Sequence, residues 1–322
     1  MFSKIIITIL ALAISVVSFG AAEVVKSETM GQEALKYVKE KFEFAYHGEY
    51  YFVHDADNKL KDFRHMQMPI LTYKPLVNWK LTALAEFKYA DSEAGVALGY
   101  PNRFFRSLYN LTRENVLVEK DNGVKMDLGI GRRVYDRKTF ANTFGNSRLF
   151  ANFAKALPGG MGKNTSTLLV QYFYNDPKNV TATSFRHGLE LLPTISLQLS
   201  PKFTFGFQDD INFQNSWLSN NPRSIAVTHE AYSTLTYNHN DFVSPFFQFK
   251  YVHDDSFAAP KKPGTPVTSD TISYALGAGL TLTKKITLTV EATSDIFASS
   301  DNYTLADKFK YIDFDMALDI TF

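Results

Sequence analysis

The sequence predicts an all-β fold, a closed antiparallel transmembrane β-barrel of about fourteen strands. Three observations predict it. After Lys41 the chain alternates apolar and polar residues with a period of two. The connections between these segments are by turns short and long. The last segment, "MALDITF", runs to the chain end with Met316, Leu318, Ile320 and Phe322 on every second position. A soluble chain more often ends in polar residues that fray.

Composition narrows the class. The chain has 322 residues, no cysteine and a formal net charge of +1. Its 28 phenylalanines make it too aromatic for a disordered protein. Acids and bases are interspersed without a basic run, so nothing points to nucleic acid as a partner. Without cysteine there is no disulfide scaffold, thiolate metal site or cysteine nucleophile.

Residues 1–22 read as a secretory signal peptide: Lys4, then the apolar run "IIITILALAISVV", then "GAA" before a cut after Ala22. Residues 23–40 read as a polar tail or short amphipathic helix, centred on 32–39, and 41–322 as the barrel. No later stretch approaches the ~18 apolar residues of a transmembrane helix.

Within the barrel, "KKITLTVEATSD" puts Ile286, Leu288, Val290 and Ala292 on one face, with Thr287, Thr289, Glu291 and Thr293 on the other. "NWKLTALAEFKYAD" sets Trp79, Leu81, Ala83, Ala85, Phe87 and Tyr89 against Lys80, Thr82, Glu86 and Lys88. Strands are expected over 41–54, 60–73, 77–91, 106–119, 123–136, 146–157, 165–175, 183–199, 202–216, 224–239, 242–255, 269–283, 286–298 and 308–322. "KPLVN", "KDNG", "SPK", "NHND" and "TKK" are the short turns, whereas 92–105 and 256–268 are long loops. An even strand count puts both termini at the short-turn end. A soluble β-sandwich also buries one face of each strand, but its strands are shorter. A β-helix would show a fixed repeat, and this chain has none.

This texture, with its terminal phenylalanine, resembles Gram-negative outer-membrane β-barrel, porin-like proteins. The resemblance implies short periplasmic turns, longer extracellular loops, and a location in the outer-membrane lipid. It also implies delivery by periplasmic chaperones to the barrel-assembly machinery, with Phe322 as the assembly signal. In general texture, though in no private motif, the chain also resembles the PopA-type porin-like proteins of predatory bdellovibrios. That likeness implies a ring-shaped homo-oligomer holding lipid.

One face of each strand should meet lipid, with aromatics near both interfaces. The other carries Glu43, Lys80, Glu86, Lys88, Arg186, Glu190, Asp210, Glu230, Lys250, Glu291, Asp313, Asp315 and Asp319. So many charges do not line a dry core. They are expected to line a water-filled pore, with Asp313, Asp315 and Asp319 on one wall and Lys88, Arg186 and Lys250 on another. The expected function is passive diffusion of small hydrophilic solutes or ions. The alternative is a structural or oligomer-forming barrel, its lumen plugged by paired charges.

Asp209 breaks the apolar face of "KFTFGFQDDINFQ", and pairing across the next loop sets it near His229. Either a bulge turns Asp209 inward, or the two residues mark an oligomer interface. Catalysis is not expected. No GxSxG, HExxH or EF-hand motif occurs. His229 and Ser233 share a face but stand about 13 Å apart along a strand. No cofactor or metal is implied.

Overall fold

The computed structural model describes residues 36–54, 59–91, 102–136, 143–158, 164–177, 185–216, 225–255, 268–298 and 312–322. Residues 1–22, expected to be a signal peptide, lie outside them. The chain divides into Met1–Glu43 and Phe44–Phe322. In the first unit residues 36–41 are helical, and Lys36 and Glu40 form an (i, i+4) ion pair at 3.9 Å. Residues 32–35, where the helix was expected to begin, are outside the described residues.

Fourteen strands follow: β1 (Phe42–His54), β2 (Leu60–Tyr73), β3 (Trp79–Ala90), β4 (Arg103–Leu117), β5 (Lys125–Tyr135), β6 (Thr143–Leu157) and β7 (Asn164–Pro177). Then come β8 (Phe185–Ser200), β9 (Phe203–Ser216), β10 (Ile225–Tyr237), β11 (Val243–Asp255), β12 (Thr268–Thr283), β13 (Ile286–Ala298) and β14 (Asp313–Thr321). Each pairs with its sequence neighbours, and β1 pairs antiparallel with β14, so the sheet is a closed barrel without edges. Most strand ends match the sequence pattern within a few residues. The expected stretch 308–311 lies outside the described residues. The connection before β5 is longer than the strand pattern suggests, running from Val118 to Val124. Glu119–Asn122 form one helical turn, which Gly123 ends at φ 70, donating its N–H to the Glu119 carbonyl at 2.8 Å.

The two faces are inverted relative to a soluble domain. Leu128, Leu149, Leu235, Phe247, Leu276 and Phe314 are all exposed, while the largest fully buried side chains are Glu86 and Asn146. A face this apolar requires an apolar solvent. In hydrocarbon every backbone group must find its partner within the sheet, and only a closed barrel of strands does that. The outer surface carries aromatic clusters at both ends. The Phe203 and Tyr237 rings lie tilted against each other at 5.2 Å at the short-turn end, and those of Phe52 and Phe63 at 5.0 Å at the long-loop end.

Inside, two glycines admit close approach. Gly129, from "DLGIGRR", lies under the Phe150 ring, and Gly188 under the Phe173 ring. A Cβ on either would sit within 2.5 Å of that ring. These aromatics therefore lie flat on the wall and do not project into the lumen.

Phe322 closes the barrel. Its N–H donates to the Phe44 carbonyl at 2.9 Å, and the two rings lie 5.3 Å apart. The bond and the ring pair together contribute on the order of 2 kcal/mol to the seam. Deleting Phe322 is expected to lower the amount of folded, heat-modifiable barrel in membranes. Wild-type levels would show that the terminal residue does not matter for assembly.

Candidate functional site

The inner face is the candidate site, and strand alternation builds it. In β14, Phe314 and Met316 face out, so Asp313, Asp315 and Asp319 face in. The register carries that face to Glu291 of β13, opposite Asp315, and to His47 of β1, opposite Asp319. Lys80, Glu86 and Lys88 of β3, Glu190 of β8, Asp210 of β9, Glu230 of β10 and Lys250 of β11 share it. Arg186, expected on a basic wall with Lys88, is an exposed residue at the long-loop end of β8, where the register shifts between Phe185 and His187. Glu43 is the second residue of β1, ahead of the paired stretch that begins at Ala45.

The charges separate into two walls. On β3 to β6 stand Lys88, Arg103, Arg106, Arg133 and Arg148. On β9 to β14 and β1 stand Asp210, Glu230, Glu291, Asp313, Asp315 and Glu49. In the ring order β5 and β12 are seven strands apart, so the walls face each other across the barrel.

Lys250 lies not on the basic wall but on the acidic one. It pairs with Glu230, which also accepts from Tyr232, and it borders a 560 Å³ cavity with Glu291, Asp313 and Asp315. Alternation placed Arg133 on this face, but Arg106 and Arg148 are members of the basic wall that the strand pattern did not single out. Arg106 begins a segment whose register is shifted by a bulge at Glu86/Phe87, so its face is hard to read from alternation. Arg148 follows Asn146 and Ser147 on β6, where the alternation is weak. The signal that could have found both is spacing in register: Arg133 is opposite Leu108 and Asn146, one inward step along the strand from Arg106 and Arg148 respectively.

The contacts on this face run along the wall. Glu86, 1% exposed, pairs with Arg106 and with Lys88 at 3.4 Å. Lys80 reaches Glu114 at 3.3 Å. Arg148 donates to Gln171 at 3.2 Å, and Gln171 donates to Glu190 at 2.5 Å. Asn212 donates to Asp210 at 2.6 Å. His47 stands between Asp319 at 2.6 Å and Glu49 at 2.9 Å. These partners lie on the same strand or on neighbouring strands. The Glu230–Lys250 pair keeps exposure to the lumen, at 37% and 34%, whereas Glu86 and Gln171 are buried in the wall.

The outer face holds Asp209 and His229. The β9–β10 register runs unbroken through Asp209↔Ala231 and Ile211↔His229. No bulge turns Asp209 inward. It shares the face of Phe207 and Ile211, and its Oδ1 lies 2.6 Å from His229 Nε2.

The fold is found among solved outer-membrane barrels. The chain is similar to Salmonella typhi OmpF, in its complex with daunomycin, at 8% identity and a TM-score of 0.51, covering 87% of this chain and 97% of that one. It is also similar to a loop-deletion form of OmpT, an outer membrane protein of Vibrio cholerae, at 10% identity, covering 87% and 98%, with a TM-score of 0.47. An outer membrane channel from Pseudomonas putida F1 matches at 11% identity, covering 88% and 95%, with a TM-score of 0.41. No family model matches the chain, and no curated protein matches it. At such identities the likeness is one of fold. Together with the apolar outer face and the closed sheet, it makes this a membrane-spanning β-barrel.

Proposed function

We propose that this chain is a porin-like channel for passive diffusion of small hydrophilic solutes or ions, with its short turns in the periplasm and its long loops outside. One observation carries the reading. The inner face is lined with charge, and its named ion pairs run along the wall. A plugged barrel would use such charges to join opposite walls. The same charges on a water-filled wall keep partial hydration and set a field across the passage. The reading assigns the chain no catalysis and no cofactor, and it places Phe322 in recognition by the assembly machinery.

Liposome swelling tests it. Vesicles holding the purified barrel are expected to admit small neutral sugars, with uptake falling as sugar size rises. Vesicles as tight as protein-free controls would favour the plugged alternative.

A further inference from the structure

We infer that the outer face around Asp209 and His229 is where a second copy of this chain packs, related to the first by a two-fold axis along the membrane normal. The inference rests on the reading of the chain as a membrane-spanning barrel.

Asp209 sits midway along β9, and the outer face beside it carries Phe207, Ile211, Pro193 and Ala231. Headgroups do not reach that depth, and acyl chains offer a carboxylate nothing. Within one barrel its needs are only half met. Asp209 Oδ1 and His229 Nε2 are close, but their angles do not make a hydrogen bond, and both atoms are buried without one. The backbone is short of a partner at the same place. The β8–β9 pairing is continuous in register from Leu191↔Ile211 to Thr194↔Gln208, yet it lapses between them. The lapse falls at Pro193, which has no N–H to give the Asp209 carbonyl. A side chain and a main-chain acceptor therefore want donors at one point on a lipid-facing surface.

The polar surface continues toward the long-loop end. The His229 ring stands edge-on to Tyr251 at 5.4 Å. His253 lies opposite His229 and reaches Asp270 at 2.8 Å, and the Tyr251 hydroxyl donates to Asp270 at 2.8 Å. This strip crosses β9 to β12 on the outside of the barrel.

A second copy is the occupant that fits. A two-fold axis along the membrane normal keeps every residue at its own depth. With the axis between β9 and β10, Asp209 meets the partner's His229, and His229 meets the partner's Asp209. The acid–base pair is then its own complement. Ala231, directly opposite Asp209, is small enough to let the two sheets approach there.

The chain has no cysteine, so single cysteines report without background. In intact membranes, oxidised Ala231→Cys barrels are expected to run as a disulfide-linked dimer. Leu128→Cys, exposed on the outer face of β5, should stay monomeric. Replacing the pair, Asp209→Leu with His229→Leu, should weaken the dimer about tenfold in sedimentation in mild detergent, while heat-modifiable mobility shows the barrel still folded. Ala231→Cys as monomeric as Leu128→Cys would overturn the inference, and so would an undiminished dimer in the double variant. If the double variant does not fold, the cysteine comparison decides alone. A monomeric barrel that still admits sugars overturns this interface and leaves the channel reading standing.

Discussion

Glu86→Ala is expected to destabilise the folded barrel by about 3 kcal/mol, the cost of breaking a buried ion pair from one side. Glu86 is fully buried beneath Arg106 and Lys88, and Lys88 also lies over the Phe105 ring at 4.2 Å. Removing the carboxylate leaves two cations and an aromatic ring around a small cavity. Equilibrium unfolding in urea from detergent micelles measures the loss. Glu86→Gln keeps the volume and one acceptor oxygen, and should recover part of it. A change within 0.5 kcal/mol, the usual range for surface substitutions, would mean that Glu86 is solvated in the lumen and is not holding the basic wall in place.

Neutralising either wall should move ion preference in opposite directions. Asp313→Asn with Asp315→Asn removes two charges from the acidic wall and should shift the reversal potential toward anions. Arg133→Gln with Arg148→Gln should shift it toward cations. One unit charge acting at ~10 Å through water is worth about 0.4 kcal/mol, or roughly a twofold change in permeability ratio. Each double variant should therefore change it about fourfold at low salt, and less as salt screens the walls. Reversal potentials unchanged in both would take these residues out of the ion path.

The architecture was legible in the sequence because lipid enforces alternation on every strand. Ile286, Leu288, Val290 and Ala292 had to share one face, and β13 spans the stretch their pattern marked. The acidic wall was legible for the same reason, since Asp313, Asp315 and Asp319 fall on one parity of β14. The basic wall was not. It is assembled from single arginines on separate strands, and their common position depends on register, which is set by turns, bulges and closure. The bulge at Glu86/Phe87 is such a case. Lys250 was misplaced for a different reason: sequence gives its face but not the neighbour, Glu230, that claims it. Asp209 and His229 were legible as a pair because one loop and one parity sufficed. Their closeness within a single barrel, and the ladder gap at Pro193, needed the structure.

The central claim is that the charged lumen conducts. Purified wild-type barrel added to a planar lipid bilayer at low protein concentration measures this most directly. A water-filled passage gives discrete, stable current steps that scale with salt concentration and persist at low voltage. Protein that inserts as a folded barrel, confirmed by its heat-modifiable mobility, yet leaves the bilayer electrically silent would contradict the claim and identify a closed, structural barrel.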